Sequence, residues 1–148
     1  MDNLLSARKK IISMNTFDFK NRTAVITGGA QGFGLDIAKR FLDSGAKVFI
    51  WDIDEKLLKS VVDELKNPNL FYNVVDVSNY NDVEKNVNDI TSKTNVDILI
   101  NNAGITGPTS PLWEYDVDMW YKIVQINLLG TFNCCRAIVP NMIKNNYG

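Results

Sequence analysis

A glycine-rich loop follows the first strongly apolar segment of the chain. The segment Thr23–Thr27 (TAVIT) has the β-branched composition of a buried strand, and the letters TGGAQGFG begin at its last residue. A glycine turn between a strand and a helix lets the backbone approach a phosphate closely. The free N–H groups at the start of the helix, near Gly32 to Leu35, can then bind the anion. The loop predicts phosphate binding; the alternative is a turn that only packs a helix on a sheet.

Asp52 follows the second predicted strand, 18 residues after Gly34 (52 − 34). A carboxylate at this position can accept hydrogen bonds from the ribose hydroxyls of an adenosine. It would also repel a 2′-phosphate, by about 4 kcal/mol for charges ~4 Å apart at an effective dielectric of about 20. No basic residue stands where it could bind that phosphate, since Gln31 precedes Gly32 and Ile53 follows Asp52. These residues predict NAD rather than NADP; the alternative for Asp52 is an exposed strand end.

Four apolar strands alternate with amphipathic helices along the chain. Parallel neighbours need long crossover connections, so the alternation predicts βαβ units on a parallel sheet. The predicted fold class is α/β, a Rossmann-type doubly wound sheet with three αβα layers and the strand order 3-2-1-4. It stops after the fourth strand and its long helix, which leaves strand four at an edge. The predicted strands are Thr23–Thr27, Lys47–Trp51, Leu70–Val75 and Asp97–Ile100.

Polar residues in front of the apolar stripes predict where the helices begin. Asp54 is the expected N-cap of the second helix, Ser78 that of the third, and Asp116 opens a long helix that reaches about Met142. Gly45 is expected where the first helix ends. These starts and stops make each helix long enough to cross from one strand to the next.

Composition limits the classes of function. The chain has 148 residues, of which 45% are hydrophobic and 22% charged, which fits one compact domain. The net charge of -1 gives no support to a nucleic-acid partner, and no apolar run reaches the ~20 residues that span a bilayer. There is no histidine, so triads and metal sites that use one are excluded, and no metal is expected. The adjacent Cys134 and Cys135 are expected to be buried or half-buried helix residues in a reducing compartment, which favours a cytoplasmic location.

The first sixteen residues differ in character from the rest. They combine Arg8, Lys9 and Lys10 with a few apolar residues. We expect residues 1–16 to be a disordered leader, with Met14 as a possible alternative start. A targeting peptide is the other interpretation, but the apolar stretch is short for a secretory signal and Asp2 is unusual in a transit peptide. Residues 17–148 then form the dinucleotide-binding domain.

These residues resemble the short-chain dehydrogenase/reductase family from about residue 18 to the end of the chain. The resemblance rests on Thr27-Gly28-x-x-x-Gly32-x-Gly34, on Asp76-Val77 after the third strand, on Asn101-Asn102-Ala103-Gly104 after the fourth, and on Asn127. It implies that Asp76 and Val77 lie against an adenine ring and that Asn101, Ala103 and Gly104 line the ribose side. It also implies that Asn127 anchors a water in a proton relay. The expected cofactor-binding residues are Thr27, Gly28, Gln31, Gly32, Phe33, Gly34, Asp52, Ile53, Asp76, Val77, Asn101, Ala103 and Gly104, and the expected catalytic residue is Asn127.

The resemblance implies a nicotinamide-dependent oxidoreductase that transfers hydride between the cofactor and an alcohol or ketone. The family's chemistry also needs a Ser and a Tyr followed four residues later by Lys, and no Tyr-x-x-x-Lys occurs in this chain. We therefore expect the cofactor-binding half of a parent enzyme, inactive alone. Similarity to 3-oxoacyl reductases or sugar and polyol dehydrogenases is expected, with small-molecule substrates and a homo-oligomer, a tetramer or dimer. The alternative is a non-catalytic nucleotide-binding module or an interaction protein on the same fold.

Overall fold

The computed structural model describes residues 17–148, and the predicted leader lies outside them. The strands are β1 (Thr23–Thr27), β2 (Lys47–Asp52), β3 (Leu70–Val74) and β4 (Ile98–Ile100). The α-helices are α1 (Gly32–Asp43), α2 (Glu55–Leu65), α3 (Tyr80–Thr91), α4 (Val117–Val124) and α5 (Gly130–Lys144). A 3₁₀ turn at Leu112–Glu114 precedes α4, and a π-helical turn at Gln125–Leu129 joins α4 to α5.

The four strands form one parallel sheet in the order β3-β2-β1-β4. In the register, Val25 of β1 lies between Phe49 of β2 and Leu99 of β4. The predicted α/β class and strand order are confirmed, and β4 is an edge strand of the described sheet. Because the strands are parallel, the loops that follow them all emerge at the same edge, their carboxyl ends.

Two apolar clusters, one on each face of the sheet, make the three layers. On one face α1 and α2 pack through residues such as Ala38 and Leu58 against Ile26 of β1. On the other face α3 and α5 pack through residues such as Val87 and Ile138. All five residues of β1 are buried, because both faces of this strand are covered.

The helix starts were predicted correctly in two of three places. Asp54 and Asp116 are N-caps, and their carboxylates accept hydrogen bonds from the N–H groups of Leu57 and Met119 at 3.0 and 2.7 Å. The prediction of Ser78 as the cap of α3 was wrong. Asn79 caps this helix, since its side-chain oxygen accepts from the N–H groups of Asn81 and Asp82, whereas the hydroxyl of Ser78 is directed to Asp76, to which it donates at 2.6 Å.

The long helix that follows β4 has the predicted extent but is not regular throughout. Its π turn at Gln125–Leu129 separates α4 from α5, and Pro140 lies inside α5. π turns in long helices frequently occur at functional sites. Within residues 17–148, no helix is both long enough and apolar enough to cross a membrane.

Candidate nucleotide-binding cleft

A cleft of about 330 Å³ opens at the carboxyl ends of the strands. Its volume is at the lower end of the roughly 300–1,000 Å³ found for ligand clefts. Segments that follow all four strands contribute to its wall. The lining residues are Gly28, Gln31, Trp51, Asp52, Ile53, Val75, Asp76, Val77, Asn102, Ala103, Gly104, Ile105 and Ile126.

The glycine loop forms one end of the cleft in a conformation that needs glycine. Gly28 has φ +62°, and a Cβ there would lie 2.9 Å from the Cα of Ala103. A Cβ on Gly34 would overlap the carbonyl oxygen of Gly28. The N–H of Gly29 donates to the carbonyl of Trp51 at 3.0 Å. The loop is therefore packed against the end of β2 and the segment that follows β4, and side chains at Gly28 and Gly34 would push these parts apart.

The positive end of α1 is left open beside this loop. The N-cap residue Gln31 makes no side-chain cap hydrogen bond, and the first turn of α1 has no acidic residue. Gly32 has φ +55°, and a Cβ there would meet nothing within 4 Å. An uncapped helix start with free N–H groups is a favourable place for a phosphate. Phe33 is 85% exposed in this turn and does not line the cleft.

Asp52 lies at the end of β2 with its carboxylate held by two backbone groups. The N–H of Ala30 donates to Oδ2 and the N–H of Asp54 donates to Oδ1, each at 3.2 Å. The first bond joins the glycine loop to the end of β2, and the second fixes the chain that enters α2. The carboxylate is half-buried at the cleft wall beside the exposed Ile53.

Asp76 and Val77 form the wall beyond Asp52. Oδ1 of Asp76 accepts hydrogen bonds from the N–H and the hydroxyl of Ser78, at 2.9 and 2.6 Å. Val77 is buried with 7% of its surface exposed, and it belongs to the apolar cluster under α3 and α5. The two residues together offer a carboxylate and an apolar surface next to each other.

Asn102 and Thr27 connect the ends of β4 and β1. The hydroxyl oxygen of Thr27 accepts from the N–H groups of Asn102 and Ala103, both at 3.0 Å. The side-chain amide of Asn102 donates to the carbonyls of Thr27 and Gly28, also at 3.0 Å. Asn101 points elsewhere, since its amide donates to Sγ of Cys135 at 3.4 Å and its surface is exposed. Of the two asparagines, Asn102 is the one that closes this end of the cleft.

Asn127 lies in the π turn, and its side chain is hydrogen-bonded to the backbone of Ile105, which lines the cleft. Its Oδ1 accepts from the N–H of Ile105 at 2.9 Å, and its Nδ2 donates to the carbonyl of Ile105 at 3.0 Å. Gly104 lies close to this amide, since a Cβ on Gly104 would be 3.3 Å from Oδ1 of Asn127. The amide therefore fixes the direction in which the chain leaves β4. A role of Asn127 in proton transfer stays a prediction.

Eight of the thirteen expected cofactor residues line the cleft. Among the other five, Thr27 and Gly34 shape it from behind and Gly32 lies at the start of α1, whereas Phe33 and Asn101 are exposed and do not line it. The lining residues absent from the expected set are Trp51, Val75, Asn102, Ile105 and Ile126. Asn102 had a signal, because it stands within the NNAG motif. The four apolar lining residues carried no such sequence signal, since sequence does not distinguish a valine or isoleucine at a cleft wall from one in the core.

The same family is indicated by sequence comparison. The short chain dehydrogenase model matches residues 22–148. A 2-dehydro-3-deoxy-L-rhamnonate dehydrogenase (NAD(+)) from Sphingomonas sp. is 38% identical over 131 residues, covering 88% of this chain and 52% of that protein. A 3-oxoacyl-(acyl-carrier-protein) reductase from Chlamydia muridarum is 35% identical, covering 86% of this chain and 53% of that protein.

Solved structures agree with the sequence relatives. The serine dehydrogenase from Escherichia coli superposes with a TM-score of 0.81 at 31% identity, covering 85% of this chain and 58% of that chain. A matching structure of the closed form of serine dehydrogenase is complexed with NADP+. This chain spans about half the length of the curated relatives it matches.

Proposed function

The chain belongs to the short-chain dehydrogenase family, and we propose that its cleft binds NAD for an oxidoreductase. In the whole protein the proposed reaction is hydride transfer between the cofactor and an alcohol or ketone. The observation that carries the proposal is the Asp52 carboxylate, held at the cleft wall by the N–H groups of Ala30 and Asp54. The names of the relatives support the class of cofactor but include both NAD+ and NADP+.

The residues of the cleft fit an adenosine joined to a pyrophosphate. The uncapped start of α1 and the close-packed Gly28 suit the pyrophosphate, because N–H groups and the helix dipole favour an anion there. Asp52 has carboxylate oxygens for the ribose hydroxyls, and Asp76 with Val77 provides a wall for the base. The bound nicotinamide would supply the hydride acceptor or donor, and this chain would bind and orient the dinucleotide.

We propose that Asn127 is the residue of this chain nearest to the proton transfer of the proposed reaction. Both polar atoms of its side-chain amide are hydrogen-bonded to the backbone of Ile105. In the proposal it keeps the π turn and the end of β4 in a fixed relation, so that groups of the whole enzyme can pass a proton at this place.

The preference for NAD is the part of the proposal that one titration tests. We expect the wild-type chain to bind NADH at least about tenfold more tightly than NADPH, because Asp52 would repel the 2′-phosphate. Asp52→Asn removes the charge but keeps an oxygen that can accept from Ala30. The ratio of the two dissociation constants should therefore fall towards one in this variant. The measurement is a fluorescence titration of the 148-residue chain with each reduced dinucleotide.

A matched control separates this local effect from a general change of charge. Asp63→Asn makes the same change of charge at an exposed position of α2, and it should leave the ratio unaltered. A folded wild-type chain that binds neither dinucleotide would contradict the proposed function. Equal ratios in wild type and Asp52→Asn would contradict only the proposed role of the carboxylate.

We propose the substrate class from the names of the relatives and from the loop that leaves the cleft. A sugar-acid dehydrogenase and a 3-oxoacyl reductase are among them, and both names describe the interconversion of a carbonyl and a hydroxyl in a small or carrier-bound molecule. The loop Ile105–Trp113, which leaves the cleft at Ile105, carries no charged residue. We propose that this loop borders an uncharged part of the substrate.

A further inference from the structure

The backbone of the cleft wall at Asp76 and Val77 is held by side chains from two different helices. The N–H of Asp76 donates to Oδ2 of Asp82 at 2.8 Å. The carbonyl of Val77 accepts from Nδ2 of Asn133 at 2.9 Å. Asp82 lies in the first turn of α3 and Asn133 in α5. Two consecutive lining residues are thus fixed from both helices on this face of the sheet.

A second side chain fixes Asp82 itself. Nδ2 of Asn86 donates to Oδ1 of Asp82 at 3.1 Å and to its carbonyl oxygen at 2.9 Å. Asn86 is buried, with 8% of its surface exposed. One carboxylate oxygen of Asp82 therefore faces the cleft wall while the other is held by Asn86, which restricts the rotation of the carboxylate.

The contact from α5 is equally close. A Cβ on Gly130 would lie 2.7 Å from Cγ2 of Val77, so α5 approaches the wall as nearly as a glycine permits. Asn133 is 8% exposed at one turn further along this helix. The close approach brings its amide within hydrogen-bonding distance of the carbonyl of Val77.

The buried amides of Asn86 and Asn133 would destabilise the fold if they made no hydrogen bonds. An unpaired buried polar group costs about 1–3 kcal/mol, and an apolar side chain in its place avoids that risk. Four polar side chains are buried in the described part of the chain: Thr23, Thr27, Asn86 and Asn133. Three of these four act on segments that line the cleft, namely Thr27 on the end of β4, Asn133 on Val77 and Asn86 through Asp82.

We propose that Asp82, Asn86 and Asn133 are positioning residues that set the place of the Asp76–Val77 wall and thereby the discrimination of the base of the dinucleotide. The proposal rests on the proposed function, in which this wall meets the adenine ring. A wall held from two helices keeps its carboxylate and its apolar surface at a fixed distance from the base. Relaxing the wall should weaken the distinction between adenine and a base that lacks the 6-amino group.

The experiment compares NADH with its reduced hypoxanthine analogue, in which an oxo group replaces the 6-amino group and N1 carries a hydrogen. For wild type we expect tighter binding of NADH, expressed as a ratio of the two dissociation constants. Asp82→Ala, Asn86→Ala and Asn133→Ala should each lower this ratio by about fivefold, the effect of one hydrogen bond of typical strength. Asp82→Asn retains an oxygen for the N–H of Asp76 and should restore most of the ratio.

Controls on the same helix exclude effects of charge and of general stability. Asp89→Ala and Asn88→Ala change the same residue types at exposed positions of α3 and should keep the wild-type ratio. If these residues have only a structural role, the alanine variants should have lower melting temperatures, while their folded chains keep the wild-type ratio of dissociation constants. That result would overturn the proposal. A wild-type ratio near one would also overturn the proposal, and so would loss of a cooperative melting transition in all three alanine variants. If wild type binds neither dinucleotide, the proposed function fails first, and the binding of NADH by wild type distinguishes that case.

Discussion

At the scale of single residues, the hydroxyl of Thr27 holds two sides of the cleft together. It accepts from two backbone N–H groups, of Asn102 and Ala103, that follow β4. Both N–H groups would lose their partner if the oxygen were removed. An unsatisfied buried donor costs about 1–3 kcal/mol, more than the hydroxyl of an exposed threonine contributes.

We expect Thr27→Val, which keeps the shape of the side chain, to lower the free energy of unfolding by about 1–3 kcal/mol for each donor left unpaired. It should also weaken the binding of NADH. Urea denaturation and fluorescence titration measure the two effects. Thr27→Ser keeps the hydroxyl and serves as the control. Equal stability of the valine and serine variants would show that these hydrogen bonds contribute little.

The thiol of Cys134 predicts a pH dependence of stability. Burial, and to a smaller extent the neighbouring Cys135, raises the pKa of Cys134 from 9.0 to about 12. The folded chain keeps this proton at a pH where the unfolded chain loses it. The associated stability is fully present below pH 9 and is lost as the pH rises towards 12, by up to about 1.4 kcal/mol per pH unit.

Urea denaturation between pH 7 and 11 tests this expectation. The free energy of unfolding should fall more steeply above pH 9 in wild type than in Cys134→Ala, which has no thiol to ionise. Parallel curves would contradict it. In the folded chain at pH 8, a thiol reagent should modify the half-buried Cys135 before Cys134.

At the scale of elements, the limits of prediction from sequence lie at helix starts and in helix regularity. The strands and the caps at Asp54 and Asp116 follow from composition and position, because these signals are local. The cap of α3 was assigned to the wrong residue, since sequence cannot show that the hydroxyl of Ser78 is bonded to Asp76. The π turn was not foreseen either, because the apolar pattern of the long helix continues through it.

Replacing Gly130 by alanine has two opposing effects of known size on stability. In an exposed helix, replacing glycine by alanine stabilises by about 1 kcal/mol. At this position the new Cβ would lie 2.7 Å from Cγ2 of Val77, and such overpacking costs about 1–3 kcal/mol. We expect Gly130→Ala to be destabilised in urea and to bind NADH less tightly, because Val77 must move. A more stable variant would show that the contact relaxes easily.

At the scale of the whole molecule, sequence alone predicted the order of the strands in the sheet. It could not predict which residues at the carboxyl ends of the strands face the cleft. Asn101 and Asn102 are neighbours of the same type, and only the fold shows that one bonds to Cys135 while the other closes the glycine loop. Trp51 is fully buried yet lines the cleft, which hydrophobicity does not reveal.

The helices after β4 carry an apolar surface that the described chain leaves exposed. Its members include Trp120, Leu128, Phe132 and Ile143, with 50%, 64%, 57% and 73% of their surfaces exposed. Exposed apolar surfaces of this kind favour association. We expect the 148-residue chain to self-associate with rising concentration and Phe132→Glu to reduce this without lowering the melting temperature.

Analytical ultracentrifugation over a range of concentrations measures this association. Asn88→Glu places the same charge at an exposed position of α3, away from the apolar surface, and should associate like wild type. A wild-type chain that stays monomeric at all concentrations would contradict the expectation.

The bonds of Thr27 with Asn102 and Ala103 also bear on the order in which the protein is made. They join positions 75 and 76 residues apart, and contacts so distant along a chain form slowly because a long loop must close first. During synthesis the glycine loop leaves the ribosome long before its partner asparagine is translated. Until that segment emerges, the glycine loop lacks the contacts that follow β4, so these hydrogen bonds cannot hold the early strands of a nascent chain together.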